Sequence, residues 1–162
     1  MKIIIEGCDG TGKTTLAKQL AEKYGLDVIH MTNRDSNCFG FYYFSIGKED
    51  VVWDRNMIGE IIYPNVFERK GKTDMLDLKF LIDRAKGEGV IFLILTADHD
   101  EIYKRLYDRG NEMLRILNNF RDIDNQFRCI AKIHHIPLID TSKISFEEIC
   151  EKYIEKGANN DG

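Results

Sequence analysis

The sequence has few prolines, no closely paired cysteines, no long apolar run and no excess of positive charge. Only two of its 162 residues are proline, so a rigid proline-rich spacer is excluded. The four cysteines form no C-x-x-C pair, which argues against a zinc ribbon or a disulfide framework. No apolar run approaches the ~18 residues that a membrane-spanning helix needs. The 23 basic residues are outnumbered by 27 acidic ones, which disfavours non-specific binding to nucleic acid.

The length and composition that remain are those of one globular domain. Hydrophobic residues make up 43% of the chain and charged residues 31%, proportions typical of a folded protein. We expect a single domain over residues 1–156 and a disordered tail over residues 157–162. The same features predict a cytoplasmic protein with no membrane partner.

Two hydrophobic patterns alternate along the chain. Short runs rich in β-branched residues predict five strands, at 2–5, 27–29, 51–53, 90–95 and 136–139. Segments with apolar residues three or four positions apart predict helices, at 16–24, 75–85, 116–134 and from Ser145 to before Gly157. The alternation predicts an α/β fold, with three α/β/α layers around a five-stranded parallel sheet.

A phosphate-binding loop follows the first predicted strand. The loop fits the pattern G-x-x-x-x-G-K-[ST] at every fixed position and leads into an amphipathic helix. Backbone N–H groups of such a loop bind phosphate oxygens, its lysine reaches the β- and γ-phosphates, and its last hydroxyl holds Mg²⁺. The pattern predicts a site for ATP and Mg²⁺, rather than a structural glycine turn, formed by Gly7, Asp9, Gly10, Thr11, Gly12, Lys13, Thr14 and Thr15.

A charged pair follows the third predicted strand. Asp54 and Arg55 lie where the strands of an α/β sheet end and where such folds bind ligands. The arginine could hold a second phosphate opposite the loop, while Asp54 orients it or joins the Mg²⁺ shell. A surface ion pair that closes a strand is the simpler alternative.

Arginines cluster again after the fourth strand. Arg105 and Arg109 are four residues apart, so they share one face of a helix, and Arg115 follows. We predict a mobile lid at about 105–116 whose arginines bind ATP and neutralise the transferred phosphoryl group alongside Lys13. The alternative is a solvated helix face on which Asp108 and nearby acids pair with these arginines.

These segments together resemble the thymidylate kinase family, within the group of nucleoside and nucleoside-monophosphate kinases. The matching segments are IEGCDGTGKTT, VVWDR, KRLYDRG and FRCIAKIHHIPLIDTS. The resemblance implies a P-loop kinase fold and a homodimer. It further implies that Asp9 contacts the 3′-hydroxyl of a deoxyribose acceptor and that Arg55 and Arg34 bind the acceptor phosphate. By the same resemblance, Ser142 and Lys143 lie beside the adenine of ATP.

The sequence departs from that family between His30 and Asp54, where it is shorter. The family's base specificity therefore does not carry over. Aromatic residues in this segment, including Phe39 and Tyr43, could stack on a base or belong to the core. The later segment NMIGEIIYPNVFERKG resembles viral kinases, some of which phosphorylate unusual pyrimidines within DNA.

The sequence favours a deoxynucleoside monophosphate as the acceptor. A phosphate needs no general base because it is largely ionised at neutral pH, and the second strand ends without a carboxylate. One alternative is a hydroxyl of a deoxynucleoside, or of a modified pyrimidine such as hydroxymethyluracil in DNA, with Asp35 or Asp54 as the base. A second alternative is an ATP-binding sensor without catalysis.

Overall fold

A computed structural model describes residues 1–31, 39–71, 73–110 and 113–155. Five parallel strands form one sheet in the order β2-β3-β1-β4-β5. The strands are β1 (Lys2–Gly7), β2 (Asp27–His30), β3 (Val51–Asp54), β4 (Ile91–Thr96) and β5 (Leu138–Asp140). The predicted five-stranded parallel sheet is confirmed. The predicted tail at 157–162 lies outside the described residues, and the single domain over residues 1–156 stays a prediction.

Helices cover both faces of the sheet. They are α1 (Lys13–Tyr24), α2 (Phe39–Ser45), α3 (Gly59–Val66), α4 (Met75–Gly87), α5 (His99–Asp108), α6 (Leu114–Leu117), α7 (Phe120–Ile133) and α8 (Phe146–Ile149). A π-helical segment, Cys150–Glu155, replaces the rest of the last predicted helix. Among the described residues, no helix combines the length and hydrophobicity needed to cross a membrane.

The helix predicted over residues 116–134 is divided in two. The side-chain Nδ2 of Asn119 donates to the carbonyl oxygen of Arg115 at 2.9 Å, and the Asn119 backbone leaves the helical conformation. Asparagine side chains compete with the backbone for hydrogen bonds in this way, which breaks the helical pattern. The apolar spacing alone could not reveal the break because α7 continues with the same periodicity.

Alternate residues of each strand pack on opposite faces of the sheet. Ile3, Ile5 and Val52 pack with α1, α8 and the π-helical segment, whereas Ile4 and Trp53 pack with α3, α4 and α7. This two-sided burial gives the three layers and explains why the strands are almost continuously apolar. Since all strands are parallel, their carboxyl ends share one edge, where the polar residues of the candidate site lie.

Candidate active site

Glycines fix the shape of the phosphate-binding loop between β1 and α1. Gly7 has φ 139°, and a Cβ atom there would lie 2.3 Å from the carbonyl oxygen of Leu95 on the neighbouring strand. Gly12 has φ 91° and immediately precedes α1, and no side chain caps that end of the helix. The first N–H groups of α1 are therefore left for a phosphate, which the positive end of the helix dipole also attracts.

Lys13 is buried inside this loop. Its Nζ donates to the carbonyl oxygen of Cys8 at 2.6 Å and lies 3.7 Å from Oδ1 of Asp9. Burial lowers the pKa of Lys13, although the charge of Asp9 opposes this effect. The loop hydroxyl of Thr11 also donates to the carbonyl oxygen of Cys8, at 2.7 Å. The loop is thus held by its own contacts.

A hydroxyl, a carboxylate and an imidazole meet beside the loop. Thr14 Oγ1 donates to Oδ2 of Asp54 at 2.5 Å, and Nδ1 of His30 lies 2.7 Å from the same oxygen. Asp54 is fully buried, and its Oδ1 has no hydrogen-bond partner in the described part of the chain. The strand register brings the imidazole to the carboxylate, because His30 of β2 pairs with Asp54 of β3.

This cluster fits the predicted role of Thr14 and Asp54 at a magnesium site. Mg²⁺ prefers oxygen ligands and is commonly held by one or two protein groups together with substrate phosphates. The unpartnered Oδ1 of Asp54 is an oxygen of the required kind. No group of three or more His, Cys, Asp or Glu side chains within the described ranges could hold a metal by itself.

Asp9 and Arg55 are in direct contact on the other side of the loop. Nη2 of Arg55 donates to Oδ1 of Asp9, and the Tyr63 hydroxyl donates to Oδ2 of Asp9 at 3.0 Å. Burial opposes ionisation of Asp9, but the charges of Lys13 and Arg55 outweigh it and lower the pKa of this carboxyl. Asp9 is therefore a fixed anion that orients Arg55, whose side chain remains 36% exposed.

A cavity of about 450 Å³ opens next to this pair, and we call it the acceptor cavity after the acceptor role that the sequence predicts for Arg55. One end is formed by the loop and the carboxyl ends of β1 and β3, and the other by α3, α6 and the residues after α3. Its lining includes two aromatic side chains, Tyr63 and Phe67, and exposed cations at Arg69, Lys70 and Arg115. The guanidinium of Arg115 lies 4.3 Å from the Phe67 ring centroid.

Two polar residues of this cavity, Glu6 and Asn56, escaped the sequence-based prediction. Oε1 of Glu6 accepts hydrogen bonds from the backbone N–H groups of Asn56 and Ile58, at 3.0 and 2.7 Å. Burial raises the pKa of Glu6 to about 7, although these N–H groups act in the opposite direction. The Asn56 side chain is also buried. The only sequence signal was their position, at a strand end and just after Arg55.

The two predicted lid arginines lie beside the loop. Nη1 of Arg105 donates to the carbonyl oxygen of Gly10 at 3.0 Å, and its Nε donates to Glu101 at 2.9 Å. Arg109 ends α5, and its charge contributes to the low pKa of Asp9. Arg105 thus joins the phosphate loop to α5, and the acid with which it pairs on its own helix is Glu101 rather than the Asp108 of the alternative interpretation.

A second cavity, of about 270 Å³, lies between these arginines and the chain after β5. Its lining includes Gly12, Thr15, Thr141, Ile144 and Phe146. The Thr141 hydroxyl donates to the carbonyl oxygen of Thr11 at 2.9 Å, which ties the chain after β5 to the loop.

Ser142 and Lys143, predicted beside the adenine, border this region rather than line the second cavity. The Ser142 hydroxyl donates to Oδ1 of Asp140, and Nζ of Lys143 lies 2.8 Å from Oδ2 of the same carboxylate. Their neighbours Thr141 and Ile144 take the lining positions.

The aromatic residues predicted to bind substrate lie elsewhere. Phe39 and Tyr43 on α2 stack on each other and contact Phe80 of α4, with ring centroids 5.7 to 6.3 Å apart. The Arg84 guanidinium lies 3.6 Å from the Tyr43 ring centroid. Neither aromatic ring lines the acceptor cavity, so this placement corresponds to the core alternative. Arg34 lies outside the described residues.

Known proteins share this architecture across the whole chain. YorR protein from Bacillus subtilis, solved in complex with phosphorylated GDP, has a TM-score of 0.81 at 21% identity over 99% of this chain and 98% of its own. Deoxyadenosine kinase from M. mycoides has a TM-score of 0.62 at 16% identity over the full length of both chains. The chain has the fold of the P-loop nucleoside and nucleotide kinases. The predicted resemblance to this group is confirmed.

Two further proteins are similar to this chain. Thymidylate kinase from Candida albicans has a TM-score of 0.55 at 17% identity, over 98% of this chain and 91% of its own. A protein of Methanocaldococcus jannaschii named "Putative adenylate kinase" is 27% identical over 158 residues, which are 96% of this chain and 85% of that protein. No family model matches the sequence. The names of these proteins point to different acceptors, so they do not identify an acceptor for this chain.

Proposed function

We propose that this kinase transfers the γ-phosphoryl group of Mg-ATP to the phosphate of a deoxynucleoside monophosphate. The observation that carries the proposal is the contact between Asp9 and Arg55 in the acceptor cavity, directly beside the phosphate loop. Arg55 offers a partly exposed, always charged guanidinium, which binds phosphate oxygens in pairs. Asp9 contacts this guanidinium and accepts a hydrogen bond from Tyr63, and both side chains are suited to positioning a sugar.

The donor side supplies charge where phosphoryl transfer needs it. Lys13 and the N-terminus of α1 face the β- and γ-phosphates, while Arg105 and Arg109 approach from α5. Thr14 and Asp54 would hold Mg²⁺, which neutralises phosphate charge when it is bound. Because the transferred group passes through a state of concentrated negative charge, these cations account for catalysis without a covalent intermediate.

A phosphate acceptor agrees with the surroundings of the carboxylates. Asp54, a candidate base for a hydroxyl acceptor, is fully buried, bound to Thr14 and His30, and does not line the acceptor cavity. Asp9 lines the cavity, but its lowered pKa makes it a weak base. A monophosphate needs neither because its attacking oxygen is already largely deprotonated at neutral pH.

A hydroxyl acceptor is the second candidate, and one observation favours it. Glu6 lines the acceptor cavity, and its pKa of about 7 is near the optimum for a general base at neutral pH. The acceptor would then be a deoxynucleoside, or a hydroxyl on a modified pyrimidine such as hydroxymethyluracil in DNA. Glu6 also has a structural task, since it binds two backbone N–H groups before α3.

The test is phosphoryl transfer from γ-labelled ATP to a panel of acceptors. The panel holds the four deoxynucleoside monophosphates, dUMP, hydroxymethyl-dUMP, AMP, GMP, the matching nucleosides and DNA containing hydroxymethyluracil. Label on a monophosphate is the expected result and identifies the base. Label only on nucleosides or DNA contradicts the proposal and favours the second candidate, with Glu6→Gln as the variant that should then lose activity. Bound ATP without transfer to any acceptor indicates a sensor.

A further inference from the structure

The side chain of Asn56 is a polar group without a partner in the acceptor cavity. Asn56 is 2% exposed and lines that cavity. Neither its Oδ1 nor its Nδ2 forms a hydrogen bond to any group in the part of the chain that is described. Buried amides are almost always paired, so this one calls for an explanation.

The backbone around Asn56 is held without help from its side chain. Arg55 adopts φ 72°, in the left-handed region, which turns the chain sharply at the end of β3. The N–H groups of Asn56 and Ile58 then both donate to Oε1 of Glu6. Because Glu6 fixes this turn through backbone groups alone, the Asn56 amide is not required for the local conformation.

Burial of an unpaired amide costs stability, whereas an apolar side chain of similar volume would cost nothing there. Leucine has the same branched arrangement of four side-chain heavy atoms and would suit the neighbouring apolar core residues, Met57 and Ile58. A residue that is unfavourable for folding and faces a ligand cavity is typical of a functional position.

We propose that Asn56 is a specificity-determining residue that binds a neutral polar group of the acceptor. An amide both donates and accepts hydrogen bonds, so its natural partner carries a donor beside an acceptor. Two parts of a nucleotide have this chemistry: the N–H and C=O edge of a base, and a sugar hydroxyl. The proposal rests on the proposed function because it assumes that this cavity receives the acceptor.

The position of Glu6 explains why the group should be neutral. Glu6 lines the same cavity, and its Oε1 binds the backbone N–H of Asn56 itself. Glu6 would repel a phosphate beside Asn56 when it is ionised, whereas in either protonation state one of its oxygens can accept from a neutral N–H or O–H donor. The acceptor phosphate is already matched by Arg55, whose cationic side chain lies in contact with Asp9.

The first experiment compares Asn56→Leu and Asn56→Ser with the parent protein. We expect the KM for the acceptor to rise about three- to tenfold with the KM for ATP unchanged, as for one lost neutral hydrogen bond. We also expect Asn56→Leu to keep or raise the melting temperature, by up to about 4 °C. Asn125→Ala on α7, outside the cavity lining, is the matched control and should change neither KM.

The second experiment separates the two sources of the polar group. The preferred acceptor of the panel is compared with an analogue lacking the sugar hydroxyl and with one methylated at the N–H donor of the base, which is a ring N–H in thymine, uracil and guanine and the exocyclic amine in adenine and cytosine. One analogue should bind the parent protein more weakly but bind Asn56→Leu as well as the unmodified acceptor does. The group modified in that analogue is then the partner of Asn56. Removing either partner of one hydrogen bond has the same effect, so the second change weakens binding no further.

Three results would overturn the inference. A fall in melting temperature for Asn56→Leu with no change in acceptor KM would make Asn56 structural, for instance through a bound water. An unchanged acceptor affinity in both Asn56 variants would also refute the proposed role of Asn56. So would an Asn56→Leu variant that distinguishes the unmodified acceptor from its analogues as well as the parent protein does. Acceptor affinities are measured by calorimetry as well, so a parent protein that binds acceptors without transfer would refute the proposed function alone.

Discussion

The two ends of the active site are built differently. At the donor end, the polar side chains of Thr11, Lys13 and Thr14 all have partners within the protein before any ligand binds. At the acceptor end, both polar atoms of Asn56 and the Nε of Arg55 have none among the described residues. Under the proposed function, the donor end is largely preorganised for a triphosphate and leaves Oδ1 of Asp54 for Mg²⁺, whereas the acceptor end leaves several polar atoms for its ligand.

The difference also appears in how each end is assembled. The donor loop is one continuous segment whose conformation depends on its own glycines. The acceptor cavity combines side chains from β1, β3, α3 and α6, with exposed cations at its outer end. Substitutions at the two ends should therefore have separable effects on ATP and on the acceptor.

Arg55→Ala should give the largest difference between the effect on phosphoryl transfer and the effect on ATP binding. Loss of one charge-stabilising group in such a site lowers the rate about a hundredfold or more. Because Arg55 lines the acceptor cavity and not the cavity beside Gly12 and Arg105, ATP affinity should stay nearly unchanged. Steady-state kinetics and ATP calorimetry check this, with Arg121→Ala on the exposed face of α7 as the control. A parallel loss of ATP binding would contradict an acceptor role.

Glu6→Gln sharpens the comparison through stability. The folded-state pKa of Glu6 is raised from 4.5 to about 7, so folding favours its protonated form. The contribution of the raised Glu6 pKa to the stability of the folded parent protein is fully present below pH 4.5 and is lost as pH rises through 7. Glutamine keeps an acceptor for the N–H groups but does not ionise. The free energy of unfolding of Glu6→Gln, relative to that of the parent, should therefore increase by about 3 kcal/mol between pH 4 and pH 8. Denaturant titration at both pH values measures this, and a constant difference would contradict it.

His30→Ala tests whether the donor end depends on its supporting contacts. Nδ1 of His30 donates to Oδ2 of Asp54, since a carboxylate only accepts, and Asp54 in turn binds Thr14. Removal of such a supporting group typically weakens a metal site roughly tenfold or more. We expect a similar rise in the Mg²⁺ concentration that half-activates transfer. His30→Asn retains a short donor and should restore part of the loss; equal behaviour of both variants would argue against positioning.

The smallest effect on the acceptor is expected from Tyr43→Leu. Tyr43 packs against Phe39, Phe80 and Arg84 and does not line the acceptor cavity. Loss of the ring contacts should lower the free energy of unfolding by about 1 kcal/mol. The acceptor KM should change less than about twofold. A tenfold rise in the acceptor KM would instead support the alternative interpretation, in which Tyr43 stacks on the base of the acceptor.

Much of the fold was accessible from the sequence because its signals are local. Each of the five strands is a short β-branched run, and the order of runs and amphipathic segments predicts the parallel sheet. The boundaries between α6 and α7 and within the last helix were missed. There, the side-chain hydrogen bond of Asn119 and a π-helical segment alter the backbone without changing the hydrophobic spacing.

The sequence by itself determined the donor end of the site. Gly7, Gly12, Lys13 and Thr14 lie within one eight-residue segment, and the two glycines allow the positive φ angles that the loop adopts. The charged pair Asp54 and Arg55 was also visible, since it directly follows a strand. What the sequence could not show is that these two neighbours separate, Asp54 toward Thr14 and Arg55 toward Asp9.

Only the tertiary structure decided the acceptor end. The pairing of β1 with β3 in the register Ile5 to Asp54 brings Glu6 to the N–H of Asn56 across 50 positions of sequence. It likewise brings Tyr63 to Asp9, 54 residues away. Such contacts exist only once the sheet has formed, because no local pattern fixes the partner of a residue so distant in sequence. The phosphate loop was therefore readable in the chain, and the acceptor cavity was not.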